Sequence, residues 1–135
     1  MTKLYRTREG EATTVDTKTQ LTTLGSQAAP GPLLVPAKAT KLLGAIVACS
    51  SNFAATGGSS AFVRLEGAGL KNGPEVIAVG SNGYNVATGG QNAQKAQFYP
   101  LNVDIIASQE ILIFGEMAGV DVGQVSFGVT LVFQA

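Results

Sequence analysis

Residues 124–134 read QVSFGVTLVFQ, and the apolar side chains recur at every second position. Val125, Phe127, Val129, Leu131 and Phe133 fall on one side of an extended chain. Gln124, Ser126, Gly128, Thr130 and Gln134 fall on the other, with Val132 as the exception. A helix would place its apolar residues three and four apart, so this segment is a strand with one face in a core. Burying each of those apolar side chains is worth on the order of 1.5 to 3 kcal/mol before entropy is counted.

Working back from that strand, short apolar runs alternate with turn residues. Ile111 to Glu116 reads as a strand, bounded by Ala107-Ser108-Gln109-Glu110 before it and by the AGVDVG turn after it. Phe98 to Ile106 reads as another, with Leu101, Val103 and Ile105 facing one way and Asn102 and Asp104 the other. The stretch before it, residues 87–96, ATGGQNAQKA, reads as a polar loop. Asn-Gly at positions 82 and 83, inside Ser81-Asn82-Gly83-Tyr84, predicts a hairpin, because a type I′ turn needs two positive φ angles. Val76 to Val79 is a strand, and Asn72-Gly73-Pro74 a turn. In Ala61 to Glu66 the alternation is clean, with Ala61, Val63 and Leu65 on one face and Phe62, Arg64 and Glu66 on a wetter one. Leu42 to Ser50 is a buried strand, followed by SNFAATGGSS as a loop. No segment carries the period of a long amphipathic helix. Seven or eight strands between residues 40 and 135 suffice for two packed sheets, and the expected fold is all-β, an antiparallel β-sandwich of the single jelly-roll kind. An immunoglobulin-like sandwich is the less favoured arrangement, since its Cys-Trp-Cys core is missing.

Residues 1–39 differ from the rest. Residues 1–29 are rich in threonine and, after Leu4 and Tyr5, poor in large apolar groups, with Val15, Leu21 and Leu24 isolated; Pro30, Pro32 and Pro36 then stiffen the approach to the first core strand. The expected organisation is an extended polar N-terminal arm and proline-rich connector over 1–39 and a sandwich domain over 40–135. Up to Lys41 the chain has six basic residues, Lys3, Arg6, Arg8, Lys18, Lys38 and Lys41, against Glu9, Glu11 and Asp16. The remainder carries the compensating acidic surplus. A nucleic-acid-binding arm would show an undiluted basic block; here Glu9 and Glu11 follow Arg6 and Arg8 at once. The arm is therefore expected to dock on a neighbouring subunit, with nucleic-acid contact weak or absent.

Composition narrows the chemistry. The chain of 135 residues has no histidine and no tryptophan, one cysteine, and only 13% charged residues where roughly a quarter is usual. Without histidine there is no Ser-His-Asp or Cys-His site, no HExxH zinc site and no imidazole base. Cys49 lies in the apolar run AIVACSS and reads as a buried structural thiol. The carboxylates Glu66, Glu75, Asp104, Glu110, Glu116 and Asp121 fit solvated strand faces and turns; a glycosidase pair would need a set separation across a cleft, and no EF-hand spacing surrounds Asp121. Gly57-Gly58 and Gly67-Ala68-Gly69 match no phosphate-binding loop and read as turns. The expectation is no enzyme: no catalytic residue, no cofactor and no metal. The N-terminus, MTKLYRTREGE, has no apolar signal core, and Leu42 to Cys49 is far short of the roughly 18 residues of a membrane span.

This organisation resembles the coat proteins of viruses and phages built on a single jelly roll. The residues that carry the likeness are PGPLLVP leading to the first core strand, PLNVDIIASQEILIFGEMAG as a strand, turn and strand, and VSFGVTLVFQA as the closing strand. The resemblance implies a self-assembling capsid subunit without catalysis, whose arm exchanges with neighbours. Its partners would be copies of itself and other virion proteins, and its place the virion, after synthesis in the host cytoplasm without a signal peptide. The alternative is a β-sandwich that binds carbohydrate or a receptor, as a trimer for example. Tyr84 is its one aromatic candidate, because glycan sites use exposed rings.

Overall fold

The computed structural model describes residues 2–13, 16–23, 31–53, 60–79, 90–118 and 123–135 of the chain. These residues form nine strands: β1 (Lys3–Ala12), β2 (Thr19–Gln20), β3 (Leu33–Leu34), β4 (Lys41–Phe53), β5 (Ser60–Glu66), β6 (Glu75–Ala78), β7 (Gly90–Val103), β8 (Glu110–Ala118) and β9 (Gly123–Gln134). There is no helix among them, and so none long and apolar enough to cross a membrane.

All pairings are antiparallel. One sheet has the order β1-β9-β4-β7; the other runs β2-β8-β5-β6, and β3 also pairs with β8. Since β5 fills one edge of β8, β2 and β3 lie in tandem along the other, opposite Phe114–Gly115 and Glu110–Ile111 respectively. The two sheets pack as a sandwich. First strand pairs with last, second and third with eighth, fourth with seventh, fifth with sixth. That nesting is consistent with a single jelly roll, a long hairpin rolled up so that its strands alternate between sheets.

The core lies between the sheets and follows the period-two pattern. Val125, Phe127, Val129, Leu131 and Phe133 of β9 are all buried, as are Ala61, Val63 and Leu65 of β5 and Ile111, Ile113 and Met117 of β8. One isolated bridge closes each side of the sandwich: Glu9 to Thr22 joins β1 to the segment after β2, and Leu70 to Ile105 joins the β5–β6 turn to the segment after β7. Gly73, in the turn expected at Asn72-Gly73-Pro74, has φ of 99°, which glycine adopts without the steric cost a side chain would bring.

Several expectations are corrected. The polar loop assigned to 87–96 is strand from Gly90 onward, because β4 continues through Phe53 and its backbone groups pair with Gly90–Gln94. For the same reason the loop after Ser50 begins later than expected; residues 54–59, with Gly57-Gly58, lie outside the described residues, as do the Ser81–Tyr84 hairpin and Asp121. The strand expected to run to Ile106 ends at Val103, where Asn102 has a positive φ of 55°. Residues 41–135 supply six of the nine strands; the first three come from the stretch read as arm and connector. Its strands are extended, as the threonines suggest, but β1 lies on this chain's own β9 in unbroken register from Lys3↔Gln134 to Ala12↔Val125. Ala12, Leu21, Leu33, Val35 and Ala39 join the core.

Candidate functional site

The side where β1 and β3 meet carries a cleft of about 480 Å³, lined by Arg6, Arg8, Pro32–Ala37 and Ser108. Its cations follow from the strand period. Arg6 and Arg8 stand opposite the buried Leu131 and Val129 of β9, so they point to the inner side of the sheet at its edge. Glu9 stands opposite Gly128 and belongs to the outer side. An inward-pointing charge on an edge strand also discourages edge-to-edge pairing.

Arg8 is fixed by backbone oxygens. Its Nε donates to the Gly31 carbonyl at 2.6 Å and one Nη to the Thr7 carbonyl at 2.8 Å, while the other Nη reaches the Pro32 carbonyl at 3.4 Å. This side chain spans from β1 to the connector and holds it in place. Arg6 donates to the Tyr5 carbonyl at 2.8 Å. No ion pair neutralises either guanidinium among the described residues. Burial, and to a smaller extent the neighbouring Arg6 charge, lower the Arg8 pKa from its ordinary value. Beside the two cations stands an apolar wall, in which Leu34 is 58% exposed.

The outer faces of the two sheets differ. On the four-stranded sheet, the cross-strand rows Tyr5–Val132–Gly44–Pro100 and Thr7–Thr130–Ile46–Phe98 contain no charged residue. Tyr5 is 52% and Phe98 44% exposed, and the Phe98 ring leans over Gly44, where a Cβ would lie 2.6 Å from its Cζ. Thr7 and Thr130 join hydroxyls at 2.9 Å. The other outer face is charged and internally matched. Arg64 is bound to Glu116 through Nη2 at 2.8 Å, Lys18 to Glu66 at 2.6 Å, and the Lys18 ammonium lies 4.6 Å from the Phe114 ring centroid. Arg64 and Glu66 share the wetter face expected for them, yet each pairs with a partner on another segment.

The remaining carboxylates are dispersed. Asp104 lies 3.7 Å from Lys41, while Glu75 and Glu110 form no ion pair among the described residues. Gly67-Ala68-Gly69 is a turn packed on β8: Gly67 has φ of 113°, and the Gly69 N–H donates to the Glu110 carbonyl at 2.8 Å. Cys49 is buried, and desolvation pushes its thiol up to about 12. No group of three His, Cys, Asp or Glu among the described residues could hold a metal. No family model matches the chain, and no curated protein matches it.

The sequence reading missed the arginine cleft because it counted Glu9 and Glu11 against Arg6 and Arg8. The signal was nonetheless present. Once residues 3–12 are extended, even and odd positions part, and the two arginines separate from the two glutamates.

Proposed function

We propose that the chain is the structural subunit of a self-assembling viral capsid or virus-like particle, acting without catalysis. The observation that carries this reading is an uncharged patch on the outer face of the β1-β9-β4-β7 sheet, the two cross-strand rows that hold Tyr5 and Phe98, each about half exposed. On a chain of zero formal net charge, such a patch lacks the charges that keep free subunits apart, and half-exposed rings within it suit a contact between subunits. A strand nesting consistent with a jelly roll, and the likeness to coat proteins, support the same reading.

The alternative of a glycan-binding module has Tyr84 as its aromatic candidate, which lies outside the described residues. Among the described residues, the two rows that hold the exposed rings Tyr5 and Phe98 contain no charged side chain to fix sugar hydroxyls. Assembly is therefore preferred. Light scattering with negative-stain imaging of the purified chain tests it: closed homo-oligomeric particles are expected. A monomer or a discrete trimer at high concentration would overturn the capsid reading in favour of a binding module.

A further inference from the structure

The arginine cleft lies on the side of the sandwich closed by the Glu9–Thr22 bridge. The opposite side, closed by the Leu70–Ile105 bridge, ends in the edge strand β6. There Glu75 forms no ion pair among the described residues and Val76 is 50% exposed. Glu75 on this side and Arg6 and Arg8 on the other are thus opposite charges without an ion partner among the described residues, each set beside an exposed aliphatic residue.

They are also level with one another. Glu75 pairs with Leu65 in the ladder, and Leu65 with Ile113. The Ile113 carbonyl accepts from the Leu21 N–H at 2.8 Å, the Leu21 carbonyl accepts from Gly31 at 3.4 Å, and the Gly31 carbonyl accepts from Arg8 Nε at 2.6 Å. One transverse row therefore runs across the molecule from Glu75 to Arg8. A second copy set alongside, in the same orientation and at the same height, brings its Glu75 to Arg6 and Arg8 and its Val76 to Leu34.

We propose that the Arg6–Arg8 cleft receives the Glu75–Val76 edge of a second copy of this chain. Copies join side to side through two different patches, a heterologous contact that closes into rings when the rotation between neighbours allows. The inference rests on the reading of the chain as a self-assembling subunit, and it names the contact. A phosphate backbone would use the cations but leave the wall of Leu34, Pro32 and Pro36 without a partner, whereas a carboxylate flanked by an aliphatic side chain engages both.

The test is a charge exchange on the full chain. Arg8 also holds the connector, so Arg6 is the position to change: among the described residues its guanidinium is bound to nothing but its neighbour's carbonyl. Arg6→Glu and Glu75→Arg should each abolish the parental particle peak in size-exclusion chromatography with light scattering, with circular dichroism unchanged. The double variant Arg6→Glu/Glu75→Arg should restore it. Single variants that assemble like the parent would overturn the contact and leave the assembly reading standing, and single variants that dissociate without rescue in the double variant would overturn the Arg6–Glu75 pairing. A parent chain that stays monomeric would overturn the assembly reading itself, and this contact with it.

Discussion

The ring of Phe127, on β9, fills the space that a side chain at Gly115, on β8 of the facing sheet, would need. A Cβ placed at Gly115 would lie 2.5 Å from Phe127 Cδ2 and 2.6 Å from Cε2. The absence of a side chain in one sheet thus makes room for the largest kind of apolar side chain in the other, and the contact sets the sheet separation at that point. Gly115→Ala should destabilise the fold by roughly 1 to 3 kcal/mol through overpacking. Phe127→Ala should cost roughly 3 to 5 kcal/mol through the cavity it leaves. In the double variant the new methyl enters that cavity, so the combined cost should be less than the sum of the two single-variant costs. Urea denaturation of the four proteins measures the coupling, and strict additivity would show that the ring and the glycine do not press on one another.

A smaller effect is expected at the outer ion pair. Arg64 forks through Nε and Nη2 onto a single oxygen of Glu116, at 3.1 and 2.8 Å, with the side chains 35% and 14% exposed. Water and salt reach this pair, so a double-mutant cycle with Arg64→Gln and Glu116→Gln should give a coupling of at most about 1 kcal/mol, falling as salt is raised. A coupling that persists in molar salt would place the pair in a drier setting than this geometry gives it.

Strands buried on one face were legible in the sequence. Val125 to Phe133 and Ala61 to Leu65 lie where their alternation puts them, because a core face selects apolar residues at every second position. The strands missed were those that sequence periodicity does not mark. β1 is an edge strand whose residues are mostly half-buried or exposed, so its apolar positions show no period. β2 and β3 are two residues each, too short for any pattern, and Leu21 reaches the core as a lone apolar residue among threonines. The first part of β7 is polar, held by the backbone ladder to β4, and backbone hydrogen bonding is nearly blind to side-chain type. The arginine cleft was hidden one level deeper, since its second wall comes from the connector and depends on tertiary placement.

Cys49 predicts a pH dependence with a definite sign. Its thiol is pushed up to about 12 by burial, so the folded chain holds the proton where the unfolded chain, near its ordinary value of 9.0, releases it. The contribution is fully present below about pH 9 and is lost as pH rises from there toward 12, at a slope approaching about 1.4 kcal/mol per pH unit. Comparing parent and Cys49→Ala by denaturation between pH 8 and 11 isolates it, and the variant should lose stability less steeply. Identical slopes would mean that the thiol is not desolvated. Native protein should also resist thiol reagents until it unfolds, since the reactive species is the thiolate.

The N-terminal segment offers the last test, because the structure gives it two separable roles. Leu21 is fully buried, its N–H bound to the Ile113 carbonyl, so Leu21→Ala should cost roughly 2 to 5 kcal/mol, as for a central core leucine. β1 acts differently: few of its side chains are buried, and its role is to fill the edge of β9 from Val125 to Gln134 with backbone hydrogen bonds. A chain lacking residues 1–13 should therefore keep its core, including Leu21, but present an open edge that takes up another strand. A synthetic peptide of residues 2–13 supplied in excess should bind that edge and raise the Tm with peptide concentration, since a ligand of the folded state stabilises it by mass action. A scrambled peptide of the same composition should not, because Leu4 and Ala12 would no longer face the core. If the peptide leaves the Tm unchanged while Leu21→Ala destabilises as expected, the segment is anchored by Leu21 and the β1–β9 ladder contributes no stability of its own.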